Sequence, residues 1–197
     1  MPTATSASRL QRQDNRRSQL LGAAARLFRE RGYHATSMRD IAKAVGMLSG
    51  SIYYHFDSKE EMLVAVYEEG ARRFSEAVDA AIVNSSEPWT RLRLACAAHL
   101  RAMMAYRDYT QVMIRTSPSE AGGAEARLRE LRGDYESRFR RLINELELPD
   151  KIDRRYLRLF LIGGLNWSQV WYHDNGDSPE TVAQRFTDLL RCRLELP

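Results

Sequence analysis

Apolar residues recur at helical spacing along almost the whole chain, and this periodicity is what most restricts the fold. The first long segment, residues 16–31, ends at Gly32 and places its apolar residues on one helical face: Leu20, Leu21, Ala24, Leu27 and Phe28. The same period continues beyond Met62 and is interrupted at four clusters of turn-forming residues, at 84–88, 117–123, 146–150 and 173–179. No segment alternates long enough to form a half-buried strand. The sequence therefore predicts an all-α protein.

A series of short predicted helices follows the first long one. Thr36 or Ser37 can cap the next helix, and Ser37 and Asp40 have the spacing of a capping box. Gly46 ends that helix, and Ser49 is predicted to cap another that runs to about Phe56. Two short helices joined by a tight glycine turn form a helix-turn-helix, whose second helix enters the major groove of DNA.

The distribution of charge supports this interpretation. The 197 residues carry a formal net charge of +4, and the first 62 residues hold ten Lys or Arg against six Asp or Glu, whereas the remainder holds twenty of each. A basic N-terminal segment joined to a neutral remainder indicates that the first part binds a polyanion. The small residues 49–51 would let the backbone approach the groove, and the side chains of Tyr53, Tyr54 and His55 offer donors to phosphate oxygens.

Other kinds of site are not indicated. The stretch GMLSG has neither the spacing of a nucleophile elbow nor that of a phosphate-binding loop, and the four histidines are scattered, so we expect no catalytic residue, metal or cofactor. The two cysteines, Cys96 and Cys192, are expected to be buried free thiols. Residues 1–13 lack the apolar core of a secretory signal and are predicted to be a disordered basic arm on a cytoplasmic protein that spans no membrane.

The stretch AARLFRERGYHATSMRDIAKAVGMLSGSIYYHFDSKEEML resembles the N-terminal DNA-binding domain of the TetR family of bacterial transcriptional regulators, from about Arg16 to Tyr67. The resemblance implies a helix-turn-helix domain over residues 14–58 and a larger helical domain for ligand binding and dimerisation over 59–197. It implies phosphate contacts from Thr36, Tyr53, His55 and Lys59, and Tyr54 is placed beside them. It also implies that four residues lie nearest the base edges: Arg39, Ser49, Gly50 and Ser51.

Two C-terminal segments carry apolar stripes too wide for one intramolecular partner, and in such regulators helices of this domain form the dimer. We expect a homodimer interface that includes Tyr156, Phe160, Gly163, Trp167, Phe186, Leu189 and Leu190. Ordinary packing within one chain is the alternative explanation for the same stripes.

The C-terminal sequence also resembles regulators of steroid, fatty-acid and aromatic-acid catabolism, which commonly respond to coenzyme A thioesters. The expected ligand-binding residues are His99, Met103, Tyr106, Met113, Asn166, Trp167 and Trp171, although core packing explains the apolar ones equally well. Five arginines in this region, at positions 91, 93, 101, 107 and 115, either pair with the thioester's phosphates or are solvated.

The sequence thus predicts a homodimeric repressor that binds a palindromic double-stranded DNA operator and is released by a small-molecule effector, an acyl-CoA thioester. The alternatives are an efflux regulator that responds to a hydrophobic drug-like ligand, a helical enzyme, and a non-specific DNA-binding protein.

Overall fold

The structure is a computed structural model that describes residues 4–116, 121–173 and 175–194, with side chains described from residue 15 to residue 192 within those ranges. Its helices are α1 (Ala4–Arg31), α2 (Met38–Ala44), α3 (Lys59–Ile82), α4 (Pro88–Ala105), α5 (Arg107–Arg115), α6 (Glu125–Asn144), α7 (Arg154–Trp171) and α8 (Pro179–Leu194). Two short 3₁₀ helices lie at Ser51–Tyr54, labelled η1, and at Gly122–Ala124. No strand occurs in these ranges, which confirms the predicted all-α class.

Three helix boundaries differ from the sequence prediction. Helix α1 begins at Ala4, within the segment predicted as an arm, because residues 4–21 contain no glycine or proline to interrupt it; residues 1–3 of that arm lie outside the described residues. The long apolar segment after residue 88 is divided at Tyr106 into α4 and α5. The helix predicted over residues 49–56 is only the 3₁₀ helix η1, since so short a segment is dominated by its ends, where i→i+3 bonds are common.

Contacts divide the chain into two compact units. Unit 1 contains Met1–Gly70 and Asp108–Arg129, and unit 2 contains Ala71–Arg107 and Glu130–Pro197. The sequence indicates a boundary at residues 58 and 59, and nothing in its pattern indicates that residues 108–129 return to the first unit. No helix among the described residues is long and apolar enough to cross a membrane.

The core of unit 1 is built from the apolar face of α1 together with α2, η1 and the start of α3. Its fully buried side chains include Leu20, Ile41, Ile52, Phe56 and Met62. The returning segment is attached by ion pairs at both ends: Arg29 Nε lies 2.6 Å from Asp108 Oδ1, and the guanidinium of Arg127 pairs with Glu68.

The core of unit 2 surrounds a buried histidine. His99 is 2% exposed, and the rings of Phe74, Tyr135 and Phe139 lie with their centroids 5.5 to 5.9 Å from its own. Helix α8 packs on α4, where the guanidinium of Arg93 donates to Gln184 Oε1 at 2.5 Å. Most of the described buried side chains of unit 2 are aromatic or aliphatic, and the buried polar ones are His99, Ser168 and Thr187.

The expectation for the cysteines is correct for one of them. Cys96 is buried and its pKa is raised to about 12 by that burial, as expected for a thiol in an apolar core. Cys192 is exposed, so the prediction that it is buried is wrong. It lies in the last turns of α8, where the apolar pattern alone did not show which face contacts α4.

Candidate nucleic-acid interface

The helix α2 begins at a complete capping box, as the sequence predicted. The Asp40 N–H donates to Ser37 Oγ at 3.2 Å, and the Ser37 N–H donates to Asp40 Oδ2 at 3.0 Å. Hydrogen bonds from the Ser37 hydroxyl and N–H lower the pKa of the Asp40 carboxyl. These bonds fix the start of α2 and leave Arg39, in its first turn, exposed.

A Schellman motif ends α2 and sets the direction of the turn. Gly46 has φ = 68°, its N–H donates to the Lys43 carbonyl at 3.1 Å, and the Met47 N–H donates to the Ala42 carbonyl at 2.9 Å. A positive φ favours glycine because a Cβ would meet the carbonyl oxygen there. The turn that leads into η1 is therefore fixed by backbone bonds.

Two buried side chains, those of Ile52 and Phe56, anchor the segment from Leu48 to Phe56, and most of its other residues are exposed. Ile52 is fully buried and Phe56 is 1% exposed, whereas Tyr53 and Tyr54 are 53% and 74% exposed. Ser49, Gly50 and Ser51 are also exposed, and His55 is half-buried with its ring 5.5 Å from that of Tyr54. Ser49 does not cap η1, contrary to the prediction, since Gly50 occupies the N-cap position without a side-chain bond.

Lys59 lies at the start of α3 and is partly engaged within the unit. Its ammonium donates to the carbonyl oxygens of Tyr33 at 3.1 Å and His34 at 3.4 Å and lies 4.5 Å from the centre of the Tyr33 ring. Burial, with a smaller contribution from the charge of Glu60, raises the pKa of Tyr33 to about 12. An ammonium carries three donors, so one N–H of Lys59 remains for a phosphate.

Thr36 lies inside the unit and not on its surface. Its side chain is 1% exposed, and its hydroxyl donates to the Gly32 carbonyl at 2.9 Å, with the Leu27 carbonyl oxygen next nearest at 3.3 Å. A hydroxyl committed to the end of α1 is not available to DNA, and we leave Thr36 out of the interface. The motif spacing did not show this, because it gives a residue's place along the chain and not the face on which it lies.

Leu48 was missed by the sequence interpretation. It is 81% exposed in the turn before η1. Its spacing of four from Ile52 favours burial on the same helical face, but the helix does not extend back to residue 48. The exposure of Leu48 follows from the position of the turn between α2 and η1, which the sequence pattern does not give.

The predicted ligand-binding residues fall into three groups. His99 and Asn166 are joined, with His99 Nε2 3.2 Å from Asn166 Oδ1 and His99 Nδ1 2.6 Å from the Tyr135 hydroxyl. Met103 is buried nearby, where its sulfur accepts a hydrogen bond from Ser168 Oγ at 3.9 Å.

The second group comprises residues with other neighbours. The Tyr106 ring lies 5.0 Å from the guanidinium carbon of Arg73, and Met113 belongs to unit 1. The third group, Trp167 and Trp171, is exposed at 62% and 39%. The Trp171 ring lies 6.3 Å from that of Phe186.

Burial lowers the pKa of His99 to about 4, so this imidazole is neutral near pH 7. With Nε2 donating to Asn166, Nδ1 accepts from the Tyr135 hydroxyl, and both ring nitrogens are satisfied. Three of the five arginines proposed for phosphates are already paired: Arg91 with Glu145, Arg93 with Gln184, and Arg101 with Glu180.

Most of the predicted dimer residues lie exposed on α7 and α8. Tyr156, Phe160, Trp167 and Leu189 are exposed at 66%, 74%, 62% and 67%. Gly163 is exposed and has open space where a side chain would be, while Phe186 and Leu190 are half-buried. The neighbouring Gly164 is approached by Phe186, whose Cε2 would lie 3.1 Å from an added methyl group, which accounts for that glycine within one chain.

Comparison with known families covers both parts of the chain. Residues 20–66 match the bacterial regulatory proteins of the tetR family, and residues 85–194 match the tetracyclin repressor-like C-terminal domain. The second match alone includes more than half of the chain.

Individual relatives agree with these matches. Over 48 residues the chain is 65% identical to the HTH-type transcriptional repressor KstR2 of Rhodococcus jostii (strain RHA1), and this alignment spans about a quarter of the relative's length, 24% of each chain. The solved ketosteroid transcriptional regulator KstR2 of Mycobacterium tuberculosis superposes with a TM-score of 0.74 at 24% identity, over 92% of this chain and 96% of that one.

A second solved structure, AibR in complex with isovaleryl coenzyme A and operator DNA, superposes with a TM-score of 0.76 at 23% identity, over 88% of this chain and 97% of that one. At these identities the two structural likenesses establish the fold.

Proposed function

This chain belongs to the tetR family of bacterial regulatory proteins, and we propose that it is a homodimeric transcriptional repressor that acts in the cytoplasm on a palindromic DNA operator. The observation that carries the proposal is the orientation of residues 48–55. Ile52 and Phe56 anchor this segment in the core, while two tyrosines and three small residues face solvent. A buried anchor with an outward polar surface is what a groove-binding segment requires.

The proposed contacts divide into two classes. Tyr53, Tyr54, His55 and the remaining donor of Lys59 bind phosphates, which fix position without reading sequence. Arg39 and the backbone and hydroxyls of residues 49–51 lie nearest the base edges and supply direct readout.

Dimerisation is supported by the exposed apolar side chains of α7 and α8. A single chain that leaves Phe160 and Leu189 more than 65% exposed carries apolar side chains of the kind that homodimers bury. Two recognition segments must lie about 34 Å apart, or a multiple of that distance, to enter successive major grooves. An effector that favours a different separation releases the operator through its differential affinity for the two conformations.

For the effector we propose an acyl-CoA thioester. The described buried polar side chains of unit 2 are His99, Ser168 and Thr187, none of which is a carboxylate, and aromatic rings surround His99. Such an interior suits an acyl chain, whereas a cationic drug of the kind expected for an efflux regulator would find no buried counter-charge there. The structural neighbour AibR, which was solved with isovaleryl coenzyme A, supports the same class.

The first test is the selection of duplexes from a random library, followed by affinity measurements at physiological salt. The proposal predicts a palindrome bound at least about a thousandfold more tightly than random duplex. Equal affinity for the two would favour the non-specific DNA-binding alternative.

The second test is a thermal-shift and native mass spectrometry screen of the full chain against acyl-CoA esters, the free acids and cationic drugs. A saturating thioester is expected to raise the melting temperature and to reduce operator affinity. A melting-temperature shift with cationic drugs alone would mean that the effector is a cationic drug and not a thioester. Turnover of a bound thioester would favour the enzyme alternative.

A further inference from the structure

Leu48 is the most exposed large apolar side chain among the described residues, at 81%. The next most exposed, Phe160 and Tyr54, reach 74%. A leucine in this position gains no free energy from burial in the isolated chain.

The exposure of Leu48 is imposed by a fixed backbone. On one side the Met47 N–H donates to the Ala42 carbonyl at 2.9 Å, as part of the motif that ends α2. On the other side the Leu48 carbonyl accepts the Ser51 N–H at 2.9 Å, directly before the buried Ile52. The side chain is therefore held outward by bonds on both sides.

The residues next to Leu48 in sequence are small or polar. Ser49, Gly50 and Ser51 follow it and are exposed, and Arg39 and Lys43 are exposed on the preceding helix α2. A protein partner would require an apolar patch, such as the one on α7 and α8, and a single leucine followed by three small exposed residues does not provide it. The surface instead complements a polyanion that carries a small apolar group.

Double-stranded DNA provides such a group in the major groove, where the C5-methyl of thymine is the apolar feature of the base-pair edge. We propose that Leu48 reads a thymine in each half-site by contact with its C5-methyl group. This inference rests on the proposed operator binding and adds a specificity-determining residue to it.

The test removes the apolar group of each partner in turn: the C5-methyl of thymine from the operator and the Leu48 side chain from the protein. Operators selected with the unmodified chain are rebuilt with uracil in place of thymine, one position at a time, because this substitution deletes only the C5-methyl. Loss of one buried methyl group is expected to weaken binding about fourfold per half-site, and about fifteenfold when both half-sites are changed.

The same uracil series is then measured with Leu48→Ala and with the control Val83→Ala, which truncates another exposed apolar residue, 72% exposed, after α3. Because both chains of the dimer carry the substitution, Leu48→Ala is expected to bind the thymine operator about as weakly as the unmodified chain binds the operator with uracil in both half-sites. It should also lose sensitivity to uracil at that one position, so that the two changes are not additive. Val83→Ala should keep the full sensitivity.

Failure of the selection to yield any preferred duplex would overturn operator binding, and this inference with it. A selected operator with no uracil-sensitive position would overturn the thymine contact alone. So would a Leu48→Ala protein that keeps the uracil sensitivity of the unmodified chain. Because Leu48 is exposed, a circular dichroism spectrum and melting temperature equal to those of the unmodified protein are expected and exclude misfolding as the cause.

Discussion

Residues 48–55 and the exposed face of α7 and α8 both leave large side chains in solvent, but their chemistry differs. Apart from Leu48, the exposed residues of the first surface are small or carry hydroxyl groups, whereas Phe160, Trp167 and Leu189 are large apolar side chains left exposed on α7 and α8. A hydroxyl keeps its hydrogen bonds in water, while an exposed phenyl ring gains free energy when it is covered. The kind of side chain that is left uncovered therefore indicates the kind of partner: DNA for the first surface and a second copy of the chain for the other.

The assignment of α7 and α8 to the dimer interface is tested most severely by placing a charge among their exposed apolar side chains. A dimer would bury two copies of Phe160, so Phe160→Asp removes two apolar contacts and buries two unpaired carboxylates, which should weaken association by about 5 kcal/mol or more. Sedimentation equilibrium should then show monomers at concentrations where the unmodified chain is dimeric. Val83→Asp, at a similarly exposed apolar residue outside α7 and α8, is the matched control. A dimer that survives Phe160→Asp would place the interface elsewhere.

The interior of unit 2 should respond to pH through His99. Its pKa is about 4 in the folded chain and about 6.5 when unfolded, so the unfolded state binds more protons between these values. Stability is full above pH 6.5 and is lost as the pH falls toward 4. Between pH 7 and pH 5 the loss from this group is about 2 kcal/mol.

Denaturant unfolding at pH 7 and pH 5, compared with the same pair of measurements on His99→Gln, isolates this contribution. The unmodified chain should lose about 2 kcal/mol more than His99→Gln over that range. An equal loss in the two proteins would mean that His99 does not remain neutral and buried in solution.

Unit 1 depends on a close approach between α3 and α5. A methyl group at Gly70 would come within 2.7 Å of Met113 Sδ and 3.3 Å of Tyr109 Cβ, whereas one at Gly22 in α1 would meet nothing within 4 Å. The same glycine-to-alanine change should therefore be less favourable at position 70 than at position 22, by about 1.5 kcal/mol. Urea unfolding of the two variants measures the difference. Identical stabilities would show that α5 does not pack on α3 as described.

The smallest predicted effect distinguishes a serine that caps a helix from a serine that contacts DNA. Ser37 caps α2 and Ser49 caps nothing, so Ser37→Ala should lower the free energy of unfolding by about 1 kcal/mol and Ser49→Ala by a few tenths at most. When the two variants are compared at the same folded fraction, Ser49→Ala should weaken operator binding more than Ser37→Ala does. A stability loss from Ser49→Ala as large as that from Ser37→Ala would mean that Ser49 caps η1, as the sequence predicted.

Sequence reasoning succeeded where the determinants are local. The capping box at Ser37 and Asp40 and the turn at Gly46 are set by residues a few positions apart, and both are present in the structure. The basic first third and the interruptions between helices follow from composition in the same way.

The remaining features depend on contacts that are distant in sequence or on the exact position of a turn. The burial of Thr36 depends on the end of α1, and the exposure of Leu48 depends on where η1 begins. The return of residues 108–129 to unit 1 and the pairing of His99 with Asn166 join parts of the chain that no short pattern relates.

The central claim is that two chains, joined through α7 and α8, present two recognition segments to one operator. The most direct measurement is the affinity of the unmodified chain for a selected palindrome before and after five base pairs are inserted between its half-sites. Because five base pairs rotate one half-site by about half a helical turn, we expect the insertion to reduce affinity to about that of a single half-site. Phe160→Asp should show no such dependence. An affinity of the unmodified chain that is unchanged by the insertion would mean that the two chains bind independently, and would contradict the account.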